Sequence, residues 1–272
     1  AATIAKIPVA HLHGGEITEG AVDDAIRHAI TKLSSWHFVA AESYRNRVIQ
    51  MGEDPSTVFN VGAMGLDHLK RSQMMSLGQL SESLNFKLQA PYLVVTYHPV
   101  TLLEEDPVAS FKTLLVALDQ FPDYQIILTY PNADNGGRAL IPFLEEYAEH
   151  QPDRVLAISS LGFKRYLSAI AKASAVVGNS SSGIIEAPSF GIPTVNIGTR
   201  QLGRLAAESI LHCAPDSAAL IEALKKALSR DFAHFCKNTR NPYGEGCASA
   251  EITKQLESRL VTLHKHFFDL EV

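Results

Sequence analysis

The sequence predicts an α/β protein built from two doubly wound parallel sheets. Three observations predict it. Short apolar strands alternate with amphipathic helices, with short links, along most of the 272 residues. One polar stretch with little strand signal, residues 70–90, divides the alternation into two series. The polar clusters fall at predicted strand C-termini, where open α/β sheets hold their ligands.

In chain order, residues 1–6 read as the end of a helix running into a strand, Ile7 to His13, which Gly14-Gly15 breaks. So abrupt an opening is the expectation for a fragment of a longer chain. Val22, Ile26, Ile30 and Leu33 recur at spacings of three and four, so Asp23 to Leu33 is a helix. Trp36 to Ala40 is a strand, Ser43 to Met51 a helix and Val58 to Val61 a strand. Residues 70–90 read as a helical or loop crossing between domains.

The second series begins with the strand Tyr92 to Tyr97 and the helix Phe111 to Phe121. Gln125 to Thr129 is a strand, Gly137 to His150 a helix, Val155 to Ile158 a strand and Lys164 to Ala173 a helix. The strand Ala175 to Val177 leads into a helix around Ile184-Ile185-Glu186. Strands Thr194 to Ile197 and Ile210 to Cys213 precede helices Ser217 to Leu228 and Ala250 to Phe268.

Composition narrows the function. Hydrophobic residues make up 46% and charged residues 19%, ordinary for a globular protein. The net charge of −5 gives no basis for a general nucleic-acid or anionic-membrane partner, although a few arginines can still hold a small anion. No apolar run reaches the ~18 residues of a membrane span, and the opening does not read as a signal peptide. Three cysteines without a CxxC pair read as reduced thiols, so a cytoplasmic location is expected.

Four clusters carry the candidate chemistry. In GNSSSGIIE, residues 178–186, glycines let the backbone approach a ligand, and Ser180, Ser181 and Ser182 offer hydroxyls and N–H groups at a helix start. Glu186 can accept two hydrogen bonds from a ribose diol; the plainer alternative is a serine cap with Glu186 in a capping box. Arg200 and Arg204 follow the next strand and suit a phosphate. In the second cluster, strand alternation points His11 and His13 to one side, with Glu16 next in the loop. Asp23 with Arg27, and Asp24 with His28, stand four apart and can pair. These histidines and acids fit proton transfer better than a metal site, and no metal is expected. The third cluster places His98 at a strand end in TYHPVT, and the fourth, TYPNADNGGR, reads alone as a turn-rich loop around Asn132.

Together HLHGGEITEGAVDDAIRHAITKLS, VTYHPVT, TYPNADNGGR and GNSSSGIIEAPSFGIPTVNIGTRQLGR resemble the hydrolysing UDP-N-acetylglucosamine 2-epimerases of sialic acid synthesis, over residues 1 to about 250. The resemblance implies a GT-B-like fold of two Rossmann-like domains with a UDP-sugar in the cleft. It implies residues 1–75 as the C-terminal part of an incomplete first domain. Residues 76–272 would form the UDP-binding domain, with helix 250–268 crossing back to the first. It implies elimination of UDP to a 2-acetamidoglucal, hydration to N-acetylmannosamine, no cofactor and a homodimer. By matching motifs, Ser180, Ser181, Glu186 and Arg200 hold the nucleotide, His98 lies at the diphosphate and Asn132 faces the cleft. His11, Glu16, Asp23 and Arg27 surround the sugar, with Asp23 the foremost proton-transfer group.

Two departures stand out. Many relatives carry an acid where this chain has His13, which leaves His13 or Glu16 to substitute and admits a 2,4-diacetamido-trideoxyhexose as the sugar. The family's Gly-Asp-Arg segment, with a catalytic aspartate, belongs upstream of Ala1. The non-hydrolysing 2-epimerases show an HRxEN-like segment where this chain reads HPVTL. A GT-B glycosyltransferase would need an acceptor, and an inactive UDP-binding fragment is the reading outside enzymology.

Overall fold

The computed structural model describes residues 1–19, 23–100, 106–132, 136–258 and 265–270. Val22, Thr101, residues 133–135 of the turn-rich loop and residues 259–264 of the expected last helix lie outside them. The chain divides into two compact units. Unit 1 comprises Ala1–Thr18, Val22–Arg71 and Asn241–Val272, and unit 2 comprises Glu19–Ala21 and Ser72–Arg240.

In unit 1, strands β1 (Ala10–Leu12), β2 (Trp36–Val39) and β3 (Val58–Asn60) pair in parallel, in that order, alternating with helices α1 (Asp23–Leu33), α2 (Glu42–Gln50) and the short α3 (Asp67–Arg71). Strand β1 is shorter than the apolar pattern predicts. Residues 1–6 form turns rather than a helix, closed by a bond from the Ala5 N–H to the Ala1 carbonyl (3.0 Å) and ended by Lys6 at φ 56°. Pro8 offers no N–H to a neighbouring strand. At the other end His13 has left the strand at φ 61°, so the alternation that would align it with His11 stops at Leu12.

Unit 2 opens with α4 (Leu77–Leu84), inside the stretch expected to be a crossing between domains. Ser76 and Gln79 form a reciprocal capping box at its start, and Leu80 and Leu84 are buried against Tyr92, Ile127 and Ile170. The helix is therefore part of a core. Then come β4 (Tyr92–Thr96), α5 (Pro107–Leu118), β5 (Gln125–Thr129), α6 (Gly137–Glu149), β6 (Val155–Ile158), α7 (Gly162–Ile170), β7 (Ala175–Gly178) and α8 (Ser181–Ile185). Strands β8 (Thr194–Ile197) and β9 (Ile210–Cys213) follow, with helices α9 (Ser217–Ala227) and α10 (Arg230–Cys236); the sequence reading missed α10. The six strands are parallel in the order β6-β5-β4-β7-β8-β9, a doubly wound sheet. β4 and β5 are almost wholly buried, as near-continuous apolar runs require.

Helix α11 (Ala248–Ser258) returns to unit 1. Asp67 caps it from far away in sequence, accepting the N–H groups of Ala248 (2.8 Å) and Ser249 (2.7 Å). Residues 265–270 are not helical, which shortens the helix expected over 250–268.

Gly178 closes β7 at φ 130°, and a Cβ there would stand 1.8 Å from the Thr96 carbonyl oxygen. Gly178→Ala is expected to destabilise unit 2 by more than about 3 kcal/mol, because backbone cannot yield as a flexible side chain can. Thermal unfolding followed by circular dichroism checks this; a loss within about 0.5 kcal/mol would contradict so close an approach.

Candidate functional site

In unit 2 the strand order reverses between β4 and β7, and the residues after these strands meet there. Asn179, fully buried, accepts the His98 N–H on Oδ1 (2.7 Å) and donates from Nδ2 to the His98 carbonyl (2.7 Å). His98 Nδ1 in turn accepts the N–H of Asn132, from the end of β5 (3.0 Å). A neutral imidazole that accepts at Nδ1 carries its proton on Nε2, so His98 is set as a donor. The Asn179 carbonyl accepts Arg200 Nη1 (3.1 Å) and Gln201 Nε2 (2.8 Å), tying in the turn after β8. The ends of four strands thus share one hydrogen-bonded cluster whose imidazole and guanidinium suit an anion.

Beside it lies a cavity of about 380 Å³ lined by Thr96, Thr129, Ser160, Phe163, Tyr166, Ser180 and Ser182, among others. The hydroxyls of Thr96 and Thr129 pair at 2.6 Å. Burial foremost, and the Glu186 charge after it, push the Tyr166 hydroxyl's pKa upward, so it remains a donor at neutral pH. Sequence reading missed Asn179, Gln201 and the Ser159–Tyr166 stretch. The rule that found the other loops applies to Ser159-Ser160, since they too follow a strand.

The serines are placed differently from the expectation. Helix α8 starts at Ser181 and has five residues, capped by Ser180, whose Oγ accepts the Ser182 N–H at 3.4 Å. So short a helix has little macrodipole, and its N–H groups act singly. Glu186 sits at its C-terminal end, where Pro188 turns the chain into a 3₁₀ segment, so the capping box does not form. Arg204 is half-buried in the loop beyond Gln201.

In unit 1 the loop after β1 is held by α1. Arg27 Nη1 donates to the Glu16 carbonyl (3.2 Å) and to Thr18 Oγ1 (2.8 Å), and Asp24 accepts the Thr18 N–H (2.7 Å). Arg47 of α2 donates to the Gly15 carbonyl. His13 Nδ1 meets the buried Glu16 carboxylate at 3.1 Å. Asp24, three residues from Arg27, takes the ion pair expected of Asp23, at 3.7 Å, and also pairs with His28 at 3.3 Å. Asp23 stands exposed on the first turn of α1. The structure therefore gathers His11, His13, Glu16 and Arg27, and leaves Asp23 at their edge of the helix.

His11 is buried, its ring packed over Gly14, where a Cβ would stand 2.9 Å from Nδ1. The Thr31 hydroxyl lies 3.2 Å from His11 Nδ1 and 3.2 Å from the Arg27 carbonyl. Both contacts are satisfied together only if Thr31 donates to the carbonyl and accepts from Nδ1–H. That leaves the lone pair on Nε2. Burial, then the charges of His37, Arg27, His13 and His28, lower the His11 pKa to about 4. At neutral pH His11 is an uncharged acceptor, the opposite of the donor set at His98.

Fold and site define an α/β protein with an anion-suited pocket at the switch point of its larger sheet. The chain belongs to the UDP-N-acetylglucosamine 2-epimerase family, whose model matches residues 1–257. It is 38% identical over 267 residues to the GDP/UDP-N,N'-diacetylbacillosamine 2-epimerase (hydrolyzing) of Campylobacter jejuni, a match covering 97% of this chain and 69% of that protein. It is 34% identical to the UDP-N,N'-diacetylbacillosamine 2-epimerase (hydrolyzing) of Legionella pneumophila, covering 97% of this chain and 67% of that protein. Among solved structures, the UDP-GlcNAc 2-epimerase of Neisseria meningitidis bound to UDP-GlcNAc shares the fold at a TM-score of 0.77 and 18% identity, over 95% of this chain and 72% of that one.

The His11 geometry predicts acid lability. Its folded pKa of about 4 lies below the ordinary 6.5, so between these values the unfolded chain binds a proton that the folded one refuses. That contribution is complete above pH 6.5 and falls by up to about 3 kcal/mol as pH drops to 4. Urea unfolding followed by the fluorescence of Trp36, the one tryptophan and a neighbour of His37 in β2, reports from this unit. The loss between pH 7 and 4.5 is expected to shrink in His11→Phe; an equal loss in both proteins would contradict the assignment.

Proposed function

We propose that the chain is a hydrolysing UDP-sugar 2-epimerase whose substrate is UDP-N-acetylglucosamine, serving sialic acid-type nonulosonate synthesis. The observation that carries the reading is the His98–Asn179 junction, an anion-suited cluster at the switch point in a member of this family. In this reading His98 Nε2–H and Arg200 meet the diphosphate, Ser180 and Ser181 contribute further donors, and Glu186 accepts the ribose hydroxyls. Asn132 acts through its backbone, fixing the His98 ring. The cavity flanked by Phe163 and Tyr166 takes the base.

Unit 1 supplies proton transfer at the sugar. A base removes the C2 proton while the C1–O bond breaks on the opposite face; UDP leaves with the electron pair and a 2-acetamidoglucal remains. Water then adds its hydroxyl at C1, and a proton returns to C2 with inversion, giving N-acetylmannosamine. These steps exchange protons and water alone. Neutral His11 is suited to accept a proton, and the His13–Glu16 pair can pass one on. Asp23 remains the proposed acid/base nearest the helix start, and Arg27 holds the loop that carries the others.

A second reading of the sugar, UDP-N,N'-diacetylbacillosamine or a related 2,4-diacetamido sugar, is favoured by the two relatives so named at 38% and 34% identity. We also infer a cytoplasmic homodimer. Three free cysteines, with no disulfide among them, support a reducing location. No described helix is long and apolar enough to cross a membrane. Light scattering tests the dimer.

Incubation with each UDP-sugar, followed by proton NMR, tests the reaction. Equal amounts of UDP and free 2-epimerised sugar are expected. UDP-N-acetylmannosamine would move the protein to the non-hydrolysing class, and no turnover of either sugar would leave a binding function. Asp23→Asn and His98→Ala are each expected to lower kcat at least about 100-fold; full turnover in both would overturn the assignments. Glu186→Ala is expected to weaken UDP binding about tenfold by calorimetry, and unchanged affinity would remove Glu186 from the ribose.

A further inference from the structure

We propose that His37 is a positioning residue for His11, and that the C-terminal segment holds it in place through Lys265. The proposal rests on the role given to His11 above. It arises from residues that the reaction does not otherwise use.

His11 and His37 are direct partners across the parallel β1–β2 pair, so their side chains stand side by side on one face of the sheet. His37 is fully buried. Its Nε2 lies 2.9 Å from Glu53 Oε2, and its Nδ1 has no hydrogen-bond partner among the described residues. Glu53 is 1% exposed and is met from two further directions, by Lys32 at 2.7 Å and Lys265 at 2.5 Å. Burial alone would raise its pKa, but bonds from His37, Lys265 and Lys32 outweigh that and hold it at about 2.

Lys265 does more than neutralise Glu53. It donates to the carbonyls of Thr31 (3.3 Å), Lys32 (3.1 Å) and Ser34 (2.7 Å), the last turn of α1 and the residue beyond it. Thr31 is the residue whose hydroxyl fixes His11 Nδ1. One ammonium therefore ties together two neighbours of the His11 ring: Thr31 directly, and His37 by way of Glu53. The segment is itself seated. The Phe268 N–H donates to the Gly52 carbonyl (3.0 Å), the Phe267 ring occupies the space a Gly52 Cβ would need (2.3 Å), and Lys32 Nζ lies 5.0 Å from that ring's centre.

A buried ion cluster of this kind adds little net stability over an apolar core, because desolvation offsets attraction. What it supplies here is fixed charge and geometry. Among the described residues, the charged and titratable groups around His11 are His13 and Glu16 from the loop, Arg27 and His28 from α1, and His37 from β2, with Glu53, Lys32 and Lys265 behind. Burial foremost, and the basic groups around it after that, keep His11 neutral, while the Thr31 hydroxyl leaves its lone pair on Nε2. Loss of Lys265 frees Glu53 and His37 to shift and lets the His11 ring take up a proton more readily.

The test uses the whole chain with Lys265→Met, Lys265→Arg and His37→Phe. Lys265 lies in a peripheral segment, so its variants keep the proposal testable if His37→Phe does not fold. NMR titration of the His11 ring, assigned with His11→Asn, gives the readout that does not depend on turnover. Lys265→Met and folded His37→Phe are expected to raise the His11 pKa by about half a unit or more, and Lys265→Arg to restore it. With the UDP-sugar, kcat falls about tenfold in Lys265→Met, its acidic limb moves with the His11 pKa, and KM and UDP affinity stay within about twofold. A His11 titration unmoved in Lys265→Met, or an arginine variant no better than methionine, overturns the proposal. Failure of the wild-type chain to turn over any UDP-sugar overturns the functional reading instead, and the titration still decides the coupling.

Discussion

The Asn179 side chain holds both backbone polar groups of His98, and unit 2's candidate site depends on that grip. The two bonds join the ends of β4 and β7 where the strand order reverses, the position at which open α/β sheets form a ligand crevice. Each is worth about 1 kcal/mol net, but leaving their buried groups unmet would cost about 1–3 kcal/mol apiece. Gly178 makes the approach possible by bringing the backbone of β7 against that of Thr96. With the His98 backbone fixed, the Asn132 N–H sets the tautomer of its ring, and Asn179's own carbonyl gathers Arg200 and Gln201.

Unit 1 solves a different problem. Its loop after β1 has glycines at 14 and 15, and Gly15 lies at φ 77° with Tyr44's carbonyl where a Cβ would be. Such a loop would be loose without outside bonds. Arg27, Asp24 and Arg47 supply them from two helices, and Glu16 is buried with His13 at its side. The two histidines at the centre of the proposed chemistry end in opposite states. His98 is a fixed donor because a backbone N–H occupies its Nδ1, whereas His11 is a fixed acceptor because a threonine hydroxyl accepts from its own. Both settings come from neighbours.

Much of this was legible in the sequence because it is written locally. An apolar run ending in glycine and small polar residues marks a strand end, and strands such as Gln125–Thr129 and Thr194–Ile197 fall where the pattern puts them. What could not be read was set by distant parts of the chain. Asp24 rather than Asp23 meets Arg27 because Thr18's backbone draws it inward. Residues 77–84 look like a linker until Tyr92 and Ile127 are there to cover Leu80. His37 reads as an ordinary strand residue, and nothing near it in sequence announces Glu53 or Lys265, which reach it from 16 and 228 residues away.

The claim on which most rests is that a nucleotide diphosphate meets His98 in its Nε2–H form. Long-range nitrogen–proton NMR of the His98 side chain, with and without UDP, measures this directly. The account predicts an unprotonated Nδ1, a protonated Nε2 and a displacement of the Nε2 resonance as UDP saturates. A proton on Nδ1, or a ring that UDP leaves unperturbed at saturation, would contradict it.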